Sequence, residues 1–315
     1  MAVQVEFDYD LARFISFRDR SECERVRRIR RAELTQHANP DFRIRIVDDP
    51  ATFYRAFADD LVGRIRSARD EGRQFVAILP VGPMPQYELA ARAINEERLS
   101  LAHVHTFNMD EYANEEGVTA PLSWPGSFQR AMLDRFFGLV DEELRPPESQ
   151  IHFPTQEALR DYSSRLEDLG GADVCYGGIG WCGHIAFWES HLGAEFEGDL
   201  EAYKQAGARL VELHPMTIMQ NALQRCGGDW SWIPPKAATI GPAQILGARV
   251  RKFWLDGYLG GGVSWQRFIA RLAAHGPVTP FVPASILQTV PTTYTILGAV
   301  AEDVILSVSR RAPGA

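Results

Sequence analysis

The sequence predicts an α/β fold: a Rossmann-like, doubly wound, mostly parallel sheet with helices on both faces. Three observations predict it. The chain has 315 residues, 45% of them hydrophobic, which is enough to bury a substantial core. Six short runs rich in β-branched and aromatic residues recur along it. Segments with helical periodicity stand between these runs, and strands that alternate with helices pair in parallel through crossovers.

Taken in order, residues 1-40 form a charged, arginine-rich N-terminal helical extension. Its segment "RSECERVRRIRRAEL" places Val26, Ile29 and Leu34 at loosely helical spacing, as an amphipathic helix docked on the body or on a second subunit would. A basic nucleic-acid arm is the weaker reading, because acidic residues are interspersed. Residues 41-315 then form the α/β domain. The strands are "FRIRIV" (42–47), "QFVAIL" (74–79), "HVHTFN" (103–108), "ADVCYG" (172–177), "VRKFWL" (250–255) and "TTYTIL" (292–297). The helices fall in "ATFYRAFADDLVGRIRSARDEG", "PQYELAARAINEE", "SFQRAMLDRFFGLV", "EALRDYSSRLEDLG" and "SWQRFIARLAAH". No repeat or internal linker interrupts this pattern.

A net charge of −8 argues against a nucleic-acid partner, since phosphate-backbone affinity rests on clustered Lys and Arg. No apolar run approaches the roughly 20 residues of a membrane span. The four cysteines, Cys23, Cys175, Cys182 and Cys226, have no C-x-x-C spacing and follow no apolar leader, which predicts a reducing, cytoplasmic location.

In a doubly wound sheet, ligands collect at the carboxyl ends of strands. Three loops are predicted there: "PVGPMP" after the second strand, "MDEY" after the third and "GGIGWCGHIAFWES" after the fourth. The second brings the adjacent carboxylates Asp110 and Glu111, which suit a metal site, a general base or a helix cap. The third brings glycines that allow close backbone approach, then His184, then Glu189 within reach of an imidazole. A histidine paired with a carboxylate can shuttle protons, although an isolated histidine is more often a satisfied core residue.

Together "TFNMDEY" (106–112) and "GGIGxxGHIAFxE" closely resemble the glucosamine-6-phosphate deaminase/isomerase family, and "SILQ" (285–288) resembles its late "SxLQ". The resemblance runs from about Phe42 to Ser309. The related 6-phosphogluconolactonases share a GxGxDGH-type turn but have a different tail and no MDEY. The resemblance implies transfer of a proton from C2 to C1 of a sugar (aldose–ketose isomerisation), followed in amino sugars by loss of ammonia. It implies that Asp110 is the proton-transfer base, that His184 opens the pyranose ring and that Glu189 orients and charges His184. By the same resemblance Gly82, Pro83, Met84, Glu111, Gly178, Gly180, Cys182 and Trp188 contact the substrate, a small sugar or sugar phosphate. No metal, flavin or nicotinamide is implied, and a homo-oligomer is.

The sequence also leaves the family pattern. Cys182 stands where the family has Asp, and a neutral thiol raises an imidazole pKa less than a carboxylate does. Trp188 and Ser190 flank Glu189 in place of Asn and Pro. The family's phosphate loop L-P-T-G-G-T-P reads "LPVGPMP" here: Val81 and Met84 replace both hydroxyls, and Pro83 removes a backbone donor. The family's phosphate-binding arginine and lysine fall near Leu223 and within "YLGGGVSW", with Arg225 or Arg267 as the nearest substitutes. These losses predict an altered or non-phosphorylated sugar. Alternatives are a non-catalytic sugar sensor, a lactonase-like hydrolase, a Cys182/His184 metal site and a Cys182 nucleophile. "DWSWIPP" (229–235) reads as a lid or subunit-contact loop with Trp230 and Trp232 packed, and Trp188 as a pocket-lining residue.

Overall fold

The computed structural model describes residues 9–306. The start of the predicted N-terminal extension and the end of the α/β domain, including Ser309, lie outside the described residues. The strands are β1 (Phe42–Val47), β2 (Phe75–Leu79), β3 (Val104–Asn108), β4 (Asp110–Ala113), β5 (Ile151–His152), β6 (Val174–Gly177), β7 (Arg209–Glu212), β8 (Lys236–Thr239), β9 (Val250–Leu255), β10 (Tyr258–Gly260), β11 (Val263–Ser264) and β12 (Thr292–Leu297). Seven of them form one sheet in the order β1-β12-β9-β6-β2-β3-β5, and every pair in it is parallel.

The doubly wound α/β prediction therefore holds, and all six predicted strands lie in this sheet. Strand β2 is buried along its whole length, as a central parallel strand covered on both faces must be. The helix Pro50–Asp70 shows why the covering layer forms. The Asp49 side chain accepts from the Thr52 N–H at 2.7 Å, and Pro50 occupies the first turn. Phe53, Phe57, Leu61 and Ile65 then recur at helical spacing and are all buried. Each such side chain contributes about 1.5–3 kcal/mol on burial.

The N-terminal residues from 9 to 40 contain one helix, Arg20–Arg27, N-capped by Asp19. Val26 and Leu34 are completely buried, so this segment packs on the body of its own chain. Ahead of that helix it also contacts the segments after β6 and β7: Ser16 Oγ lies 3.1 Å from Ser190 Oγ, and Phe14 C=O lies 2.7 Å from His214 Nε2.

One feature corrects the sequence reading. "MDEY" is not a loop but β4, which pairs antiparallel with β8, and β8 with β7, in a second three-stranded sheet. The Met109 N–H donates to Leu79 C=O at 3.0 Å, which anchors this small sheet at the carboxyl end of β2. Among the described residues no helix is long and apolar enough to cross a membrane.

Candidate active site

A cavity of about 800 Å³ opens at the carboxyl ends of β2, β3, β6 and β9, where a doubly wound sheet binds its ligands. Its walls include residues from Pro80 to Met84, Met109 and Asp110, residues from Gly178 to Gly180, His184, and Trp254 and Asp256.

Strand β4 separates the two adjacent carboxylates, because successive side chains of a strand point to opposite faces. Asp110 borders the cavity. Burial, with smaller contributions from Glu111 and Glu189, pushes its carboxyl up to about 7, against the lowering influence of His184 and Arg225. A base with that value is poised for proton abstraction near neutrality. Glu111 is turned away and fully buried. It accepts from the backbone N–H groups of Phe128 at 3.0 Å and Gln129 at 2.8 Å, from Tyr112 N–H at 2.9 Å and from Ser127 Oγ at 2.9 Å. Its expected substrate contact is thus corrected: Glu111 caps the helix Phe128–Arg135, where a carboxylate satisfies otherwise unpaired N–H groups.

His184 stands in a buried hydrogen-bonded cluster. One oxygen of Glu189, Oε2, receives His184 Nδ1–H at 3.1 Å, Thr217 Oγ1–H at 2.9 Å and Cys182 Sγ–H at 3.0 Å. This leaves Nε2 as the ring atom available for chemistry. Burial alone would push the imidazole down; the Glu189 carboxylate, helped by Cys182, outweighs it and holds His184 up at about 10. Burial pushes Glu189 in the opposite direction, and the imidazolium beside it outweighs that, so its carboxyl lies below the usual range. Cys182 therefore keeps one contact expected of the missing aspartate, but as a donor to Glu189 rather than as a second charge. Neither Glu189, fully buried, nor Cys182 lies on the cavity wall. Cys182, His184 and Glu189 offer ligand atoms within 4.8 Å of one another and could hold a metal ion, yet those atoms already satisfy one another by hydrogen bonds.

The loop's glycines are geometric requirements. A Cβ built on Gly180 would sit 2.0 Å from His184 Nε2, and Gly180 closes its turn by donating to His184 C=O at 2.9 Å. A Gly180→Ala variant should fold but displace the imidazole. An ångström of misplacement costs about 100-fold in rate, so kcat should fall by about that factor with the far-UV circular dichroism unchanged; a variant with full turnover would show that the ring needs no glycine there.

Gly82, Pro83, Met84, Gly178 and Gly180 all border the cavity, with Val81 buried beside them. The helix that follows, Pro85–Glu96, has no side-chain N-cap bond. Of the two substitute cations, Arg225 borders the cavity with its guanidinium 4.8 Å over the Phe128 ring, and a Cβ on Gly82 would lie 3.0 Å from its Nη2. Arg267 instead donates to Ala299 C=O at 3.1 Å and takes no part. Arg135 also borders the cavity and pairs with Glu88 at 3.6 Å on the surface.

Trp188, expected to line the pocket, is corrected as well. The turn closed by Trp188 N–H on Ile185 C=O sends the indole inward, where it is completely buried. It packs edge-on against Tyr203 and lies 4.7 Å beneath the Arg209 guanidinium. It belongs to the core and not to the pocket. Trp230 and Trp232 depart in the other direction: they are 63% and 48% exposed, and Trp232 stacks on Trp124. Thr217, Asn221, Tyr54 and Asp256 are site residues that sequence reasoning missed. Thr217 and Asn221 lie on the helix Pro215–Arg225, whose N-cap His214 accepts from Met216 N–H; the run "HPMTIMQNAL" carried that signal.

Comparison with known proteins adds to the geometry. No family model matches the chain. It is 33% identical over 215 residues to glucosamine-6-phosphate deaminase 2 of Giardia intestinalis, across 66% of this chain and 72% of that one. It is 31% identical over 235 residues to the glucosamine-6-phosphate deaminase of Rhodopirellula baltica, across 72% and 83%. Among solved structures, a monomeric glucosamine-6-phosphate deaminase superposes with a TM-score of 0.68 at 23% identity, covering 82% of this chain and 98% of its own. That likeness shows the fold.

Proposed function

Because the chain belongs to the glucosamine-6-phosphate deaminase/isomerase family, we propose that it catalyses C2-to-C1 proton transfer in a sugar, with release of ammonia when C2 carries an amino group, and that the sugar's far end differs from the family's phosphate. The observation that carries this reading is that Asp110 and His184 face the same cavity, each with its proton affinity shifted toward the task.

His184, charged by Glu189, delivers its Nε2 proton to the ring oxygen and takes up the proton of the C1 hydroxyl in its place, so the pyranose opens to the aldehyde. Asp110 then takes the C2 proton, leaving an enolamine or enediol, and returns it to C1 from the same side. With an amino group at C2 the product is an imine; water adds to it and ammonia leaves, giving a ketose. Without one, protonation of the enediol at C1 and loss of the C2 hydroxyl proton give the ketose. Each step is a proton transfer or hydration, which the carboxylate and the imidazole supply.

The altered far end rests on the loss of the phosphate-loop hydroxyls and of both family cations. Charge-assisted bonds contribute about 1.5–3 kcal/mol each, and of the two guanidiniums that border the cavity, Arg225 and Arg135, the second is already paired with Glu88, so they do not replace the set. Glucosamine and its 6-phosphate, assayed for ammonia release and for C2 deuterium exchange in D₂O, test the proposal. The free sugar is expected to have the higher kcat/KM. A clear preference for the 6-phosphate would overturn the altered-substrate part, and exchange with neither would overturn the reaction. Cytoplasmic location and self-association are also part of this proposal, the first from the cysteine pattern and the second from family resemblance.

A further inference from the structure

The end of the cavity away from Asp110 holds a carboxyl group that the proton transfers leave unused. Asp256 directly follows β9, and the sheet order β9-β6-β2-β3 puts it and the end of β3 about 14 Å apart at the usual strand spacing. Less the reach of two side chains, that gap matches an extended six-carbon sugar with its terminal group. Asp256 borders the cavity, as do Tyr54, Trp254 and Tyr258. Tyr54 OH donates to Asp256 Oδ2 at 2.9 Å, which fixes one oxygen of a carboxyl that borders the cavity.

Among the described residues no lysine or arginine forms an ion pair with this carboxyl. Burial pushes it up, and the Tyr54 hydrogen bond and its own backbone are what oppose that. Of the arginines that border the cavity, Arg225 stands beside Gly82 and close enough to Asp110 to lower it, and Arg135 pairs with Glu88. The nearest lysine on β9, Lys252, is bound to Asp60. A phosphate dianion here would meet a carboxyl without compensation, whereas a carboxylate accepting from a hydroxyl makes a strong charge-assisted bond. The flanking aromatic rings suit the apolar faces of a sugar.

We propose that Asp256, held in place by Tyr54, binds the terminal hydroxyl of an unphosphorylated sugar and thereby sets substrate specificity; this rests on the reaction proposed above. The pair would stand near the position from which the family's lysine reaches the phosphate, with the opposite charge preference.

The test compares wild type with Asp256→Ala, Asp256→Asn and Tyr54→Phe. Glucosamine and glucosamine 6-phosphate serve as probes of C2 deuterium exchange, and tryptophan fluorescence, with Trp254 beside the pair, reports binding of each. Loss of a hydrogen bond to a charged group predicts a KM for glucosamine about 10- to 100-fold higher in Asp256→Ala, with kcat changed less than about threefold. Asp256→Asn and Tyr54→Phe should raise KM less, and the 6-phosphate should lose less than glucosamine does. An unchanged KM in Asp256→Ala, or a loss confined to kcat, overturns the assignment while the reaction stands. A wild type that prefers the 6-phosphate also overturns it. If the wild type exchanges neither sugar, the reaction fails, and the fluorescence titration still decides: equal glucosamine affinity in wild type and Asp256→Ala refutes the subsite, and weaker affinity in the variant supports it.

Discussion

An Asp110→Asn variant is expected to lose C2–C1 proton exchange, with kcat down by about 10³-fold or more, since a positioned general base contributes about 10²–10⁴ and the other carboxyl among the described residues that line the cavity, Asp256, follows β9, three strands away from β3 in the sheet. Glu111 cannot stand in, because four donors hold it at the start of the helix Phe128–Arg135. The wild-type pH profile supplies an independent readout. Burial first, and the neighbouring carboxylates second, push Asp110 up to about 7, so kcat/KM should fall as pH drops below 7 and the base becomes protonated. The variant's residual rate should lack that limb. Stability carries the opposite signature. The folded protein binds a proton at Asp110 more tightly than the unfolded chain, whose group titrates near 3.8, so this site makes stability decline as pH rises from about 4 to 7. Asparagine removes the buried charge, and the variant should melt higher than wild type above pH 7. Retention of exchange at near wild-type rate would remove Asp110 from the mechanism whatever the melting curves show.

The parts of this architecture legible in the sequence are those where one physical constraint dominates. The six predicted strands were readable as runs rich in β-branched and aromatic residues, most plainly β2, where a parallel strand covered on both faces must be apolar along its length, as "FVAIL" is; β1, at the sheet edge, alternates instead. The edge strand Ile151–His152 and the strands β7 and β8 have two to four residues each, too short for a period of two to register. Missing β7 and β8 is what made "MDEY" look like a loop. The same miss left Asp110 and Glu111 undivided, since only the pleat assigns one to the cavity and the other to a cap.

Side-chain direction was the second limit. Trp188 precedes Glu189 directly, and nothing in one dimension shows that the Ile185–Trp188 turn sends the indole into the core. Thr217 lies 28 residues from its partner Glu189, and Tyr54 lies 202 from Asp256. Such pairs come together only when helices from separate crossovers pack over the same sheet end. Cys182 was legible as a departure, but its structural effect was not. The thiol donates to Glu189 and so preserves the hydrogen-bonded frame around His184, while the negative charge that an aspartate would add is gone. Glu189 is then the one carboxylate bonded to the imidazole, and the dependence of His184 on it becomes directly measurable.

That dependence should appear in a Glu189→Gln variant. The amide keeps the volume and one acceptor for Cys182, Thr217 or His184, but it removes the charge that outweighs burial at the imidazole. His184 should drop from about 10, because the largest influence raising it is removed while burial remains. A neutral imidazole cannot deliver the ring-opening proton, and kcat on the cyclic sugar should fall by about 100-fold or more. An open-chain substrate analogue bypasses that step and should lose far less, which separates a ring-opening role from general damage to the site. Stability gives the second check. In the wild type the raised His184 contributes fully below pH 6.5 and progressively less as pH rises toward 10, while the depressed Glu189 contributes above 4.5 and loses its share as pH falls. The pair therefore stabilises most between pH 4.5 and 6.5. Breaking a buried pair on one side costs about 3 kcal/mol, so the variant's deficit in melting temperature should be largest in that window and shrink as pH approaches 10. A pH-independent deficit, with cyclic and open-chain substrates impaired alike, would mean that Glu189 serves packing rather than the charge of His184.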